Sequence, residues 1–160
     1  RALNLPWSTA GWFTKRGAGS SVQGMSLLNK IHHFNLLVRD LDAAVARYRE
    51  TFGIEEFHWG ELPQRGVRTA RFRAGESWIV LVQPTDPDGV PGRHLAEHGE
   101  GLFLLSDDVG VLDDACQRIN TDLLQGEPRQ GLEGWQVQDL NPDQFQGALI
   151  QLTEDALDSH

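Results

Sequence analysis

The chain has 160 residues, with 23 acidic against 14 basic side chains, a formal charge of -9 and a pI near 5.0. That length suits one compact domain, and the acidic balance lacks the positive footprint that nucleic-acid binding needs. A single cysteine, Cys116, excludes an intramolecular disulfide and any cysteine-rich zinc module, which fits a reducing, cytoplasmic setting; no apolar run approaches the ~20 residues of a membrane helix.

Residues 1–29 read as an N-terminal extension outside the domain, of the kind a cloning vector supplies. The chain opens on arginine, and a more natural start, MSLLNK at Met25, follows the Gly/Ser-rich RGAGSSVQG. Trp7, Trp12 and Phe13 are discordant with that reading, because large aromatics are costly to leave exposed.

Beyond the extension, HHFNLLV alternates as a strand does, with His33, Asn35 and Leu37 on one face and His32, Phe34, Leu36 and Val38 on the other. Asp40 then suits a helix N-cap. Leu41, Ala44, Val45, Tyr48 and Phe52 recur at helical spacing, and Gly53 ends the helix. Three strand-like runs follow, EEFHWGEL, GVRTARFRAG and SWIVLVQP, separated by proline and glycine signals. TDPDGVPG is rich in turn residues and reads as a linker.

The same order then recurs. GLFLLSD is a strand, VGVLDDACQRI a helix with Leu112, Ala115, Cys116 and Ile119 on one stripe, and GWQVQDLNP and GALIQLTE are later strands. The strand between RINTDLLQGEPR and GLEGWQV is faint and is expected near Asp122 to Gln125. The expected fold is α+β, a tandem pair of β-α-β-β-β modules spanning residues 30–86 and 97–153.

With these elements in place the chain resembles the vicinal oxygen chelate superfamily, which includes glyoxalases, methylmalonyl-CoA epimerases, extradiol dioxygenases and bleomycin-resistance proteins. The resemblance is carried by IHHFNLLVRDLDAAVARYRETFGI, AGESWIVLVQP, HLAEHGEGLFLL and LNPDQFQGALIQL, in that order. It implies one glyoxalase-like domain over residues 30–155, its modules curling into half-barrel sheets around a cavity. It also implies that metal-dependent members draw four ligands from cavity-facing positions, which fall here on His33, Val80, Leu104 and Gln151. Valine and leucine donate nothing to a divalent ion, so neither a metal nor any other cofactor is expected.

Other signals are weaker. HLAEH, His94 to His98, matches a zinc-protease spacing but falls on the short lead-in to the second module. His58 is expected as a partly exposed strand residue and Cys116 as a small buried hydrophobe. Arg71 and Arg73 share a face that reads as solvated, although together they could hold an anion. Trp78, Val80 and Val82 alternate onto the cavity side.

The expected function is therefore metal-independent binding of a small organic molecule in an apolar cavity, by sequestration or by an unassigned chemistry, with His33, Asn35, Trp78, Val80, Leu104 and Gln151 as the binding residues. No residue is assigned a catalytic role. The alternative is a divalent-metal lyase, epimerase or dioxygenase with relocated ligands. The open edges and concave face of such modules further suggest a homodimer.

Overall fold

A computed structural model describes residues 25–158. Residues 1–24, with Trp7, Trp12 and Phe13, lie outside the described residues. The first module comprises β1 (Lys30–Leu37), α1 (Leu41–Phe52), β2 (His58–Leu62), β3 (Val67–Ala74) and β4 (Ser77–Pro84). After α2 (Val90–His98) the second comprises β5 (Gly101–Asp108), α3 (Leu112–Arg118), β6 (Leu124–Gln130), β7 (Gln136–Leu140) and β8 (Ile150–Glu154).

All eight strands form one curled sheet in the order β2-β3-β4-β1-β5-β8-β7-β6. β1 runs parallel to β4, β5 runs parallel to β8, and antiparallel pairing of β1 with β5 joins the halves. The fold is the α+β half-barrel that the sequence implies. The two modules pair within one chain, and β2 and β6 are left as the sheet edges.

Local chemistry explains the elements. The Asp40 side chain accepts from the Ala43 N–H at the start of α1, and Gly53 closes the helix in the left-handed region at φ 65°. The linker TDPDGVPG is not all linker, since its last three residues start α2 with Pro91 in the first turn, where the missing N–H costs nothing. β6 is longer than expected because Thr121–Leu123 is a 3-10 turn and the strand runs on through a register break between Gln125 and Arg129. Gly126 at φ 68° and Pro128, which cannot donate to the ladder, hide that strand from any alternation.

Three apolar clusters hold the sheet. Leu41 and Val45 of α1 pack on Ala70 and Leu81 on the convex side, and Leu112 and Ala115 of α3 pack on Leu140 and Leu152. The third cluster fills part of the concave face, with Trp78, Val80, Phe103, Trp135 and Val137 among its members. Each fully buried leucine here contributes ~1.5–3 kcal/mol.

Candidate functional site

The site is built around two bulges in the central strand pair. Between Ile31 and His33 the β1–β5 register slips by one residue, which turns His32 away from the outer face that strict alternation assigns to it. Its ring meets His33 instead, with the two Nδ1 atoms 2.8 Å apart, and its Nε2 lies 2.9 Å from Asp155 Oδ2. On β5 the slip falls at Phe103, so that Phe103 and its neighbour Leu104 both border the concave space.

Proton bookkeeping assigns the tautomers of the neutral pair. A carboxylate at Asp155 only accepts, so His32 Nε2 carries hydrogen and, with that ring neutral, His32 Nδ1 is a lone pair. His33 Nδ1 must then donate, which leaves His33 Nε2 as the basic edge of the neutral ring. Burial, reinforced by His32 and only partly offset by the hydrogen bond that the protonated ring donates to Gln151, lowers the His33 pKa to about 3. Trp135 stacks on His33 at 4.8 Å and stands edge-on to His32 at 4.6 Å, so both rings are clamped.

His33, Asn35, Val80, Leu104 and Gln151 line one cavity of about 70 Å³. Asn35 is the register partner of both Val80 and Leu104, which sets the three side by side across β4, β1 and β5. At ~10–15 Å³ per water position, the cavity admits a group of several heavy atoms. It borders a larger cleft of about 370 Å³, and Arg65, Phe103, Leu104, Arg129 and Gln151 line both spaces. The Oδ1 of Asn35 is buried with no hydrogen-bond partner among the described residues. Such an orphan acceptor suits a ligand donor or a bound water.

Trp78 stands apart from the other five binding residues expected from the sequence. It is not part of the cavity lining but packs against the guanidinium groups of Arg71 and Arg73, at 4.8 and 4.0 Å. The solvated face assigned to those arginines is corrected for Arg71, which is 2% exposed, pairs with Glu133 Oε2 at 2.6 Å and also lies over Trp135. Its Nε and Nη1 have no partner among the described residues. The hydrogen bond from Arg71 lowers the Glu133 carboxyl below its usual value, and that glutamate keeps a strained backbone at φ 41°. His58 makes a pair with Glu56 and meets Trp78 edge-on, outside the cavity. Cys116 packs against the cluster under α3, where burial pushes its thiol pKa up.

Several residues at the site escape sequence reasoning. Gln151 donates to Asp139 at 3.0 Å, Asp139 takes both oxygens to Arg129 at 2.9 and 3.1 Å, and Arg65 approaches from the turn before β3. That turn is pinned by Gly66, where a Cβ would come within 2.5 Å of Asp86 Cβ and where φ is 63°. The backbone N–H groups of Thr85 and Asp86 both bond the Gly66 carbonyl.

The four family metal positions do converge on the cavity, but their residues do not fit a divalent ion. Val80 and Leu104 offer no donor, and His33, Gln151 and Asn35 are neutral. The cavity also has two guanidinium groups in its wall and no carboxylate. Elsewhere, donor atoms of His32, Asp155 and Asp158 lie within 4.8 Å of one another. There Asp155 is bonded to His32 and Asp158 to Lys30 and Arg73, so existing partners satisfy them. His94 and His98 sit 4.5 Å apart on α2 with no third donor grouped with them among the described residues.

A family model described as the Glyoxalase/Bleomycin resistance protein/Dioxygenase superfamily matches residues 30–139. The chain is similar to an ethylmalonyl-CoA/methylmalonyl-CoA epimerase of Cereibacter sphaeroides, at 26% identity, covering 80% of this chain and 99% of that protein. A variant of Streptomyces coelicolor methylmalonyl-CoA epimerase, solved with 2-nitronate-propionyl-CoA, superposes with a TM-score of 0.74 and 31% identity, covering 81% of this chain and 99% of the other. The methylmalonyl-CoA epimerase of Mycobacterium tuberculosis gives 0.77 and 27%, covering 83% and 92%.

Proposed function

From the premise that this chain belongs to the Glyoxalase/Bleomycin resistance protein/Dioxygenase superfamily, we propose that it acts on the acyl end of a small coenzyme A thioester, in the manner of an epimerase and without a divalent metal. The similarity to acyl-CoA epimerases favours this reading over sequestration of an unrelated molecule. The observation that carries it is the cavity bordered by His33, Asn35 and Gln151, sized for a short acyl group and opening on a cleft roomy enough for a longer arm.

Epimerisation of such a thioester needs a proton removed from the carbon beside the carbonyl and returned to its other face. His33 Nε2 is the proton acceptor the cavity offers, and Asp155 acts through His32 to hold its tautomer. Asn35 Nδ2 is an N–H donor in the cavity wall available to orient the thioester carbonyl. One observation favours a second reading, binding without turnover: a His33 pKa of about 3 makes the ring a much weaker base than one tuned near neutrality.

Proton NMR of methylmalonyl-CoA in deuterium oxide tests both readings. Exchange at the α-carbon that depends on His33 supports the epimerase. Saturable binding without exchange supports the second reading, and an absence of both sinks the proposal. A homodimer in the cytoplasm is part of the same proposal, supported by the exposed edges β2 and β6 and by the single cysteine. Sedimentation equilibrium at about twice the chain mass is the expected result.

A further inference from the structure

We infer that residues 131–135, the tip between β6 and β7, form a strap that crosses from the second module onto the first and roofs the small cavity, with the Arg71–Glu133 ion pair as its catch. The inference goes beyond the acyl-thioester reading, and its test uses no thioester.

Three side chains seat the tip on the first module. Trp135 stacks on His33 of β1, and Leu132 lies so close over β2 that a Cβ on Gly60 would come within 3.3 Å of its Cδ2. Glu133 is the third, its Oε2 2.6 Å from Arg71 Nη2 on β3. Gly131, Leu132 and Trp135 line the small cavity, whereas Glu133 is not part of the lining and its side chain is 54% exposed. The apolar contacts therefore make the roof, and the ion pair fastens it from beyond the cavity wall.

The tip is built to move as one piece. Its ends are pinched together by a hydrogen bond from the Gly131 N–H to the Trp135 carbonyl at 2.7 Å, and another from the Trp135 N–H to the Leu132 carbonyl at 2.8 Å. On its β6 side the ladder is broken between Gln125 and Arg129, and β6 is a sheet edge that no further strand covers. Local opening starts from such weakly bonded edges.

The catch is strained and singly made. Glu133 holds φ 41° and ψ 46°, a left-handed conformation that a glutamate adopts at a cost. Arg71 meets it through Nη2 alone, while Nε and Nη1 are buried without a partner among the described residues. One contact to a half-exposed carboxylate exchanges for water more easily than a bidentate fork does. Water entering beneath a lifted tip would also reach those two unpartnered donors, which offsets the contact that is lost. These features fit a releasable fastening better than a fixed strut.

The test is carbethoxylation by diethyl pyrocarbonate, located by peptide mass spectrometry with fragmentation to separate His33 from His32. The reagent attacks a neutral imidazole and is larger than the group of several heavy atoms that the closed cavity admits. Modification of His33 therefore reports a lifted strap, and His98, which is exposed on α2, is the reference. Glu133→Gln keeps the size of the side chain and removes its charge. His33 in that variant is expected to react about tenfold faster than in the parent, with the His98 rate unchanged. Added sodium chloride should speed His33 modification in the parent, where it screens the ion pair, and leave the variant unaffected.

Equal His33 rates in the parent and Glu133→Gln would overturn the catch. Rapid modification in the parent without salt dependence would overturn the strap itself. Acceleration shared by His98, or hydrogen exchange that rises in β7 and β8 as much as in residues 131–135, would show general loosening and overturn both.

Discussion

The two modules follow one topology and differ in regularity. In the first, α1 runs twelve residues with a side-chain cap at Asp40 and a left-handed glycine at its end, and β2 pairs with β3 without interruption. In the second, α3 runs seven residues with no side-chain cap, and β6 breaks register over Gly126 to Pro128. Gln138 bridges that break, donating to the carbonyls of Gln125 and Gly126. The irregular half supplies Arg129, Asp139, Gln151 and the clamping Trp135, so departure from the regular ladder is what opens the cleft and aims polar groups into it.

The largest expected effect is in the cores beneath the two helices. Leu81, fully buried under α1, should lose about 4 kcal/mol on replacement by alanine, and Leu152 under the shorter α3 about 2.5 kcal/mol, because a less braced site collapses more readily. Urea denaturation measures both. Equal losses would break the contrast between a rigid and a compliant half.

Acid comes next. The His33 pKa is lowered in the folded protein from 6.5 to about 3, so between those values the unfolded chain binds a proton that the folded chain refuses. Stability should therefore fall as pH drops through that window, by about 2 kcal/mol between pH 6.5 and 4.5. His33→Gln should flatten that slope. The raised carboxyl of Asp107 acts in the opposite sense but is common to parent and variant, so their difference isolates His33.

Smaller effects lie at the irregular edge and the helix ends. Gln138→Ala should cost about 1.5 kcal/mol by leaving two carbonyls of β6 without their donor, and hydrogen exchange should rise along β6 before β2. At the helices, Asp40→Ala should cost about 1 kcal/mol and Val111→Asp should add about 0.5 kcal/mol, since α1 has a capping side chain at its N-cap residue whereas at α3 only the Leu112 N–H is met by a side chain, Glu154 Oε2 at 2.7 Å. If Val111→Asp adds nothing, the shortness of α3 has another cause.

How much of this was legible in sequence follows from the range of each interaction. Asp40, Gly53 and the apolar stripe of α1 are local signals, and they set that helix to within a residue. The family positions at 33, 80, 104 and 151 were legible through the resemblance, and they do border one space. His32 was not, because alternation assigns it to the opposite face and a bulge announces itself only once β5 is paired. Arg71 misled for a different reason: its burial depends on Trp78, Trp135 and Glu133, which come from both modules. Arg65 and Arg129 carry no motif at all and meet only through the curl of the sheet. Trp135, a large aromatic opening GWQV, was the one neighbour with a signal in the sequence that went unused.

The ion pair between Lys30 and Asp158, 2.7 Å long, brings the first strand's start beside the segment that follows the last strand. A short peptide could therefore join those ends, and the chain could be opened instead just after Gly99, where a side chain would meet nothing within 4 Å and α2 has already closed through the Gly99 N–H. Such a circular permutant would be synthesised with β5 to β8 ahead of β1 to β4, yet it would form the same sheet, because the β1–β5 pairing that unites the halves does not depend on which is made first.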